Sequence, residues 1–175
     1  VATNTTLALL DRQREHPRGF ESVNAAFIRF TSGTTSKSKG VVLSHETIRD
    51  RIDAANEVLA IGPADRIAWV LSMSYHFTVS IVAYLSYGAT IVLPDNHLAD
   101  GLLEAMTRYR TTLLYAAPTH YMLLAAAPGV QPLPDLRLAI STAMSLDAEV
   151  ARQFHRKYAV PVSQALGSIE VGLPA

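Results

Sequence analysis

Cysteine is absent from this 175-residue chain. That excludes disulfides, a Cys nucleophile and thiolate metal sites, and it fits a reducing compartment. An excess of charge is absent too. Fifteen Lys and Arg balance 15 Asp and Glu, so no global field draws the chain to nucleic acid or an anionic membrane. Charged residues are scarce, at 17% against 49% apolar. The balance marks a core-rich globular chain rather than a disordered one. No apolar run reaches membrane length. The greasiest stretch, Val79 to Leu93, is broken by Ser80, Ser86, Gly88 and Thr90 and falls short of the ~20 residues a bilayer needs. Val1 to Thr6 lacks the charged and apolar regions of a signal peptide. These features lead to an expected cytoplasmic location. The chain begins at Val rather than Met and stops at Ala175, soon after Glu170, which reads as a cut inside a larger architecture.

Several chemical signatures are also missing. His16, His97, His120 and His155 show no metal-ligand spacing, and there is no H-E-x-x-H. No Ser lies in a G-x-S-x-G elbow. Asp53 and Glu57 are four residues apart on a helical pattern and read as a solvated face.

What is present is an alternation of short apolar runs and helical patterns. Strands are expected at Ala26–Ser32, Gly40–Leu43, Ile67–Leu71, Thr90–Leu93, Thr112–Ala116, Leu136–Ile140 and Val162–Ala165. Helices are expected at Glu46–Ile61, Thr78–Tyr87, Asp100–Tyr109, Thr119–Ala127 and Asp147–Tyr158. Ser44 is a candidate cap, and Gly62-Pro63, Gly88 and Pro128-Gly129 are candidate stops. Strand and helix alternate from Ile67 onward, and the strands are apolar on both faces. This predicts an α/β fold with a mainly parallel β-sheet flanked by helices. Ligands bind such sheets beyond the carboxyl ends of the strands. That rule puts Ser72–Phe77, Ala117–His120, Ser141–Ser145 and Gly167–Glu170 along one edge.

The loudest local signal is TSGTTSKSKG, Thr31 to Gly40, between two apolar strands. Its hydroxyls, backbone N–H groups and Lys side chains are what a polyphosphate requires. Ser, Thr, Lys and Gly are equally the residues of a solvated hairpin loop. A Walker A loop fits poorly. Counting from Gly33, Ser38 stands at the second Gly, Gly40 stands at the Ser or Thr, and a strand pattern follows where a helix is required. Arg49 and Arg51 flank the loop, within reach of phosphate or on an exposed helix face.

TSGTTSKSKG followed by VVLSH resembles the phosphate loop of the adenylate-forming (ANL) superfamily: acyl- and aryl-CoA synthetases, adenylation domains of nonribosomal peptide synthetases, and luciferases. Thr31, Ser32, Gly33, Thr34, Thr35, Ser36, Lys39, Gly40, Ser44 and His45 match its pattern, and Ser38 replaces the usual Pro. SMSYHF, Ser72–Phe77, resembles the aromatic-His segment at the mouth of the acid pocket, with His76 near the substrate carboxylate. STAMSL, Ser141–Leu146, resembles the segment lining pocket and adenine. QALGSIE, Gln164–Glu170, resembles the Y-G-x-T-E segment through Gly167 and Glu170. Leu166 replaces the aromatic residue there. Ile169 replaces the Thr and has no hydroxyl to offer phosphate.

The resemblance implies a segment of an acyl-CoA synthetase-like large domain. Residues 1–25 would lead in, 26–45 form the phosphate-loop hairpin and 46–175 form an α/β sheet subdomain. Its implied function is an ATP-dependent acid–thiol ligase of the acyl- or aryl-CoA synthetase type. Lys39, His76 and Glu170 would be catalytic. Thr31 to Ser36, Lys39, Thr142, Ala143, Leu166 and Gly167 would hold ATP. His76, Ser141 and Gly167 would face the acid, and Glu170 would hold Mg2+. Coenzyme A or a phosphopantetheine carrier would be the acceptor, with an acyl carrier protein as one form of partner. The expected substrate is a fatty, aryl or other organic acid, because Tyr75-His76-Phe77-Thr78 holds no Asp for an α-ammonium group. The family's ribose-binding Asp, hinge and C-terminal Lys are not in this sequence, so the segment alone is expected to be inactive and to pack on further subdomains or a second chain. Two alternatives remain on the residues: a degenerate member that binds without adenylating, and a P-loop NTPase.

Overall fold

The computed structural model describes residues 19, 21–30, 39–129 and 131–167. Strands β1 (Ala25–Phe30) and β2 (Gly40–Ser44) form an antiparallel hairpin in which Phe30 faces Gly40. A Cβ at residue 40 would lie 3.3 Å from Ile28 and 3.4 Å from the Phe30 ring. A side chain here would fit only if the Ile28 methyl gave way by a few tenths of an ångström. Ser44 caps helix α1 (His45–Leu59), its hydroxyl accepting from the Thr47 N–H at 3.0 Å. The helix ends two residues before the expected Ile61. Asn56 takes both Ile61 backbone groups, accepting from its N–H at 2.7 Å and donating to its carbonyl at 3.2 Å. Ala60 turns left-handed to make this possible.

Five strands follow: β3 (Arg66–Trp69), β4 (Thr90–Val92), β5 (Leu113–Ala116), β6 (Leu138–Ser141) and β7 (Val162–Gln164). They form one sheet, all parallel, in the order β4-β3-β5-β6-β7. Alternation along the strands gives each face its own core. Ala68, Leu114, Ala116 and Ala139 face helices α4 (Ala99–Arg108), α5 (Pro118–Ala126) and α6 (Ala148–Tyr158), where Leu102, Met106, Tyr121, Leu124 and Phe154 are buried. Small strand residues leave room there for bulky helix residues, as in the Tyr121–Phe154 ring pair at 5.0 Å. Ile67, Trp69, Leu113, Tyr115 and Ile140 form the opposite core with Ile52, Ile81 and Tyr84. The α/β parallel architecture expected from the alternation is the one the chain adopts.

The largest departure from expectation lies after β3. Ser72–Phe77 is not a loop, and helix does not begin at Thr78. Helix α2 (Met73–His76) leads into a π-helical turn, Phe77–Ile81, and then helix α3 (Val82–Ser86). The Val82 N–H bonds the Phe77 carbonyl across the wider ring. One α-turn plus one such turn spans about eight residues. His76 and Tyr84 therefore fall on one side, and both meet the Trp69 ring edge-on, at 6.1 and 6.2 Å. Gly88, at φ 75°, ends the segment as expected.

The strand β6 starts at Leu138 rather than Leu136, because Arg137 is held elsewhere. Its guanidinium donates to both Asp65 oxygens at 2.9 Å and to the Leu59 and Ala60 carbonyls closing α1. Among the described residues no helix is long and apolar enough to cross a membrane.

Candidate active site

The carboxyl ends of β3, β5, β6 and β7 share one edge, where ligands of such sheets bind. Beyond β3, helix α2 carries His76 over the ends of β3 and β5. Its ring stands edge-on to Tyr115, with centroids 5.8 Å apart, as well as to Trp69. Burial, and then the charge of Arg29, hold the His76 imidazole below its ordinary value. It is a neutral ring near pH 7. Its Nδ1 is buried and has no hydrogen-bond partner among the described residues. Burial pushes the Tyr115 phenol up, against an opposing hydrogen bond with the Thr142 side chain.

Strand β6 delivers Ser141 and Thr142 to this edge, 1% and 5% exposed. The Ser141 Oγ is also buried without a partner among the described residues. Ala143 follows at φ 75°, a left-handed conformation that costs an L-residue about 1–2 kcal/mol. The turn is strapped to β7: Gln164 Oε1 accepts from the Leu146 N–H at 2.9 Å, and the Ala165 N–H donates to the Ser141 carbonyl at 2.8 Å. The strap sets Ser141 beside Gln164 and Ala165, and the next residue, Leu166, is 81% exposed.

On the hairpin, Lys39 is exposed and immediately precedes β2. A strand, not a helix, follows Gly40, which a Walker loop does not allow. Thr31, Ser32, Gly33, Thr34, Thr35 and Ser36 lie outside the described residues, as do Ile169 and Glu170. Among the described residues no group of three acids or histidines is placed to hold a metal ion. The Phe27 and Phe77 rings, 6.0 Å apart, join the hairpin to the His76 segment.

Two features escape a sequence reading. Arg29 is 8% exposed, inside the strand AAFIRF. A lone charge in an apolar strand is the signal that marks it. His97 and His120, 23 residues apart in the chain, bring their rings to 5.9 Å at the same edge. Only the parallel pairing of the strands predicts that meeting. Of the other candidates, Arg49 is 83% exposed and pairs with Asp53 at 3.8 Å; Asp53 also accepts from the Tyr87 hydroxyl at 2.6 Å.

The edge thus combines unpartnered buried polar atoms with a strained turn and a cation-bearing hairpin. A family model described as AMP-binding enzyme matches residues 3–175. The chain belongs to this family, within the adenylate-forming superfamily. The chain is 29% identical over 153 residues to the sulfoacetate–CoA ligase of Cupriavidus necator, covering 86% of this chain and 30% of that protein. It is 30% identical over 153 residues to a 4-hydroxybenzoate–CoA/benzoate–CoA ligase of Rhodopseudomonas palustris, covering 84% and 28%. The fold matches that of apo MatB from Rhodopseudomonas palustris with a TM-score of 0.79 at 24% identity, over 96% of this chain and 32% of that one. This AMP-binding chain spans about 30% of the length of these two ligases.

Proposed function

We propose that this AMP-binding chain supplies the phosphate loop and the acid-facing edge of a ligase that activates a carboxylic acid. An acid oxygen attacks the α-phosphorus of ATP, the bond to pyrophosphate breaks, and an acyl-adenylate forms. A thiol of coenzyme A or a carrier phosphopantetheine then attacks the carbonyl, and AMP leaves as the thioester forms. The protein's contribution to the first step is positioning and charge neutralisation. Lys39 and the hydroxyls of Thr31 to Ser36 hold the phosphates. Thr142, Ala143, Leu166 and Gly167 receive the nucleotide, while His76 and Ser141 face the acid. Glu170 would hold Mg2+, an ion commonly bound by one or two carboxylates plus phosphate oxygens, and the ion would offset the phosphate charge. The observation that carries this reading is the His76–Ser141 edge, whose buried His76 Nδ1 and Ser141 Oγ have no hydrogen-bond partner among the described residues.

The substrate in this reading is an organic acid rather than an α-amino acid, since Tyr75–Thr78 offers no acid for an ammonium group. The location is cytoplasmic. The test is acid-dependent ATP–pyrophosphate exchange by the full-length protein. Lys39→Ala is expected to lower the exchange about 100-fold or more. ATP binding without exchange would favour a degenerate binder. Ile169, without a hydroxyl at the phosphate position, is the residue that favours it.

A further inference from the structure

Of the buried polar atoms at the carboxyl edge, His120 Nδ1 has no part in the ligase reading. It takes no hydrogen bond among the described residues. His97 meets the same ring, with centroids 5.9 Å apart and planes inclined at 61°. The sheet brings the two together. Val92 in β4 and Tyr115 in β5 pair with successive residues of β3, Ala68 and Trp69. Each histidine follows its strand residue by the same five positions, His97 in the turn before α4 and His120 in the first turn of α5. A side-chain bond spans His97: Asn96 Oδ1 accepts from the Leu98 N–H at 2.8 Å, and such bonds fix a turn. The Asn96 side chain sits against Gly101 of α4, where a Cβ would lie 2.5 Å from that oxygen. Two imidazoles at this separation suit a metal ion. With N–metal bonds of about 2.0–2.1 Å, two bound rings stand roughly 5 to 6 Å apart between centres. Ligation requires the neutral ring. Burial holds the His120 imidazole below its ordinary value, and the amino end of α5 disfavours an imidazolium there.

We propose that His97 and His120 form an open site for a transition-metal dication, Zn2+ above all, which clamps the turn before α4 to the start of α5. The chain has no cysteine, and among the described residues no third His, Asp or Glu joins the pair. Water or an external ligand therefore completes the shell. Two imidazole nitrogens select Zn2+, Cu2+ or Ni2+ over Mg2+ and Ca2+, which require oxygen ligands. The site does not rest on the ligase reading, whose Mg2+ is an oxygen-bound ion. The competing occupant is an anion, which the amino ends of α4 and α5 would favour. A buried ring kept neutral carries no charge to attract one.

The experiment is Zn2+ titration of the metal-stripped full-length protein by calorimetry, with excess Mg2+ present to fill oxygen sites. His97→Gln and His120→Gln are each expected to weaken Zn2+ binding about 10- to 100-fold or more, since a lost ligand costs at least as much as a lost outer-shell partner. His155→Gln removes an exposed histidine on α6 and is expected to leave the affinity unchanged. Cu2+ bound in place of Zn2+ should show two nitrogen ligands by electron paramagnetic resonance, and one in either variant. Saturating Zn2+ should raise the thermal midpoint of the wild type and not that of His97→Gln. His97 is exposed, so its variant decides the matter if His120→Gln does not fold. Equal Zn2+ affinity in the wild type and His97→Gln overturns the site. So does stabilisation by inorganic phosphate, lost in both variants, with no effect of Zn2+; that result would make the pair an anion receptor.

Discussion

The two edges of the parallel sheet are built on opposite rules. At the amino edge every polar group of the Asp65 network is engaged. The carboxylate accepts from Arg137 at 2.9 Å, from the Thr112 hydroxyl at 2.6 Å and from the Gly62 N–H at 3.0 Å. Thr112 accepts in turn from the Arg66 N–H at 3.0 Å. At the carboxyl edge, His76 Nδ1, His120 Nδ1 and Ser141 Oγ are buried without partners among the described residues. Unsatisfied buried polar atoms are costly and uncommon. Their concentration at the edge where such sheets bind ligands sets that edge apart from the satisfied amino edge.

The largest test of this contrast is removal of the amino-edge charge. Asp65→Ala should destabilise the full-length protein by about 3 kcal/mol in denaturant unfolding. This is the low end for breaking a buried pair, because Arg137 is 39% exposed. A loss under 1 kcal/mol would break the comparison from that side.

The pH dependence comes next. Burial alone pushes the Asp65 carboxyl up, but the hydrogen bonds from Arg137, Thr112 and Gly62 together outweigh it and hold it at about 2. A carboxyl lowered in the folded state stabilises above its ordinary value near 4, and that stability is lost as pH falls toward 2. The wild type should lose about 2 kcal/mol more than Asp65→Asn between pH 5 and pH 2. Parallel curves for the two proteins would show that the network carries no such linkage.

At the carboxyl edge the expected effects shrink and change sign. Ser141→Ala should leave stability unchanged or raise it by up to about 1 kcal/mol, since an unpartnered hydroxyl disappears. Acid-dependent exchange should fall in the same variant. A stability loss like that of Asp65→Ala would mean that the hydroxyl is satisfied and the edges are alike. The smallest effect is expected for Ala143→Gly. Relief of the left-handed strain, offset by the entropy of glycine, should raise the thermal midpoint by the equivalent of a few tenths of a kcal/mol.

Much of the frame was legible from residues. The alternation from Ile67 onward gave the parallel sheet, and the cap at Ser44 stands where expected; Asp147, expected as the first residue of its helix, is the cap instead. The Asp147 side chain accepts from the Glu149 and Val150 N–H groups. The edge positions of His76, Ser141 and Gly167 followed from sheet topology. The resemblance carried by TSGTTSKSKG led to the family. What stayed hidden depends on distant pairings. Asp65 and Arg137 are 72 residues apart, and nothing local to either shows that they meet. Arg29 carried one signal, a lone charge in an apolar strand, but its burial depends on what covers the hairpin, about which strand alternation says nothing. The helical start at Met73 was missed because the segment changes its period within a few residues, and a single-period search sees neither half.

That change of period decides which length change the segment from His76 to Tyr84 absorbs. Two rings eight residues apart reach the same indole only because one turn holds an extra residue. Closing that turn to regular α-helix with no residue lost would rotate one end by about 80°. Either His76 would then leave the sheet edge, or Tyr84 would leave the core. Losing one residue from Phe77–Ile81 closes the turn and leaves the rings seven residues apart, about 20° short of two full turns. One residue fewer is therefore the length change these five positions should absorb in natural or engineered versions.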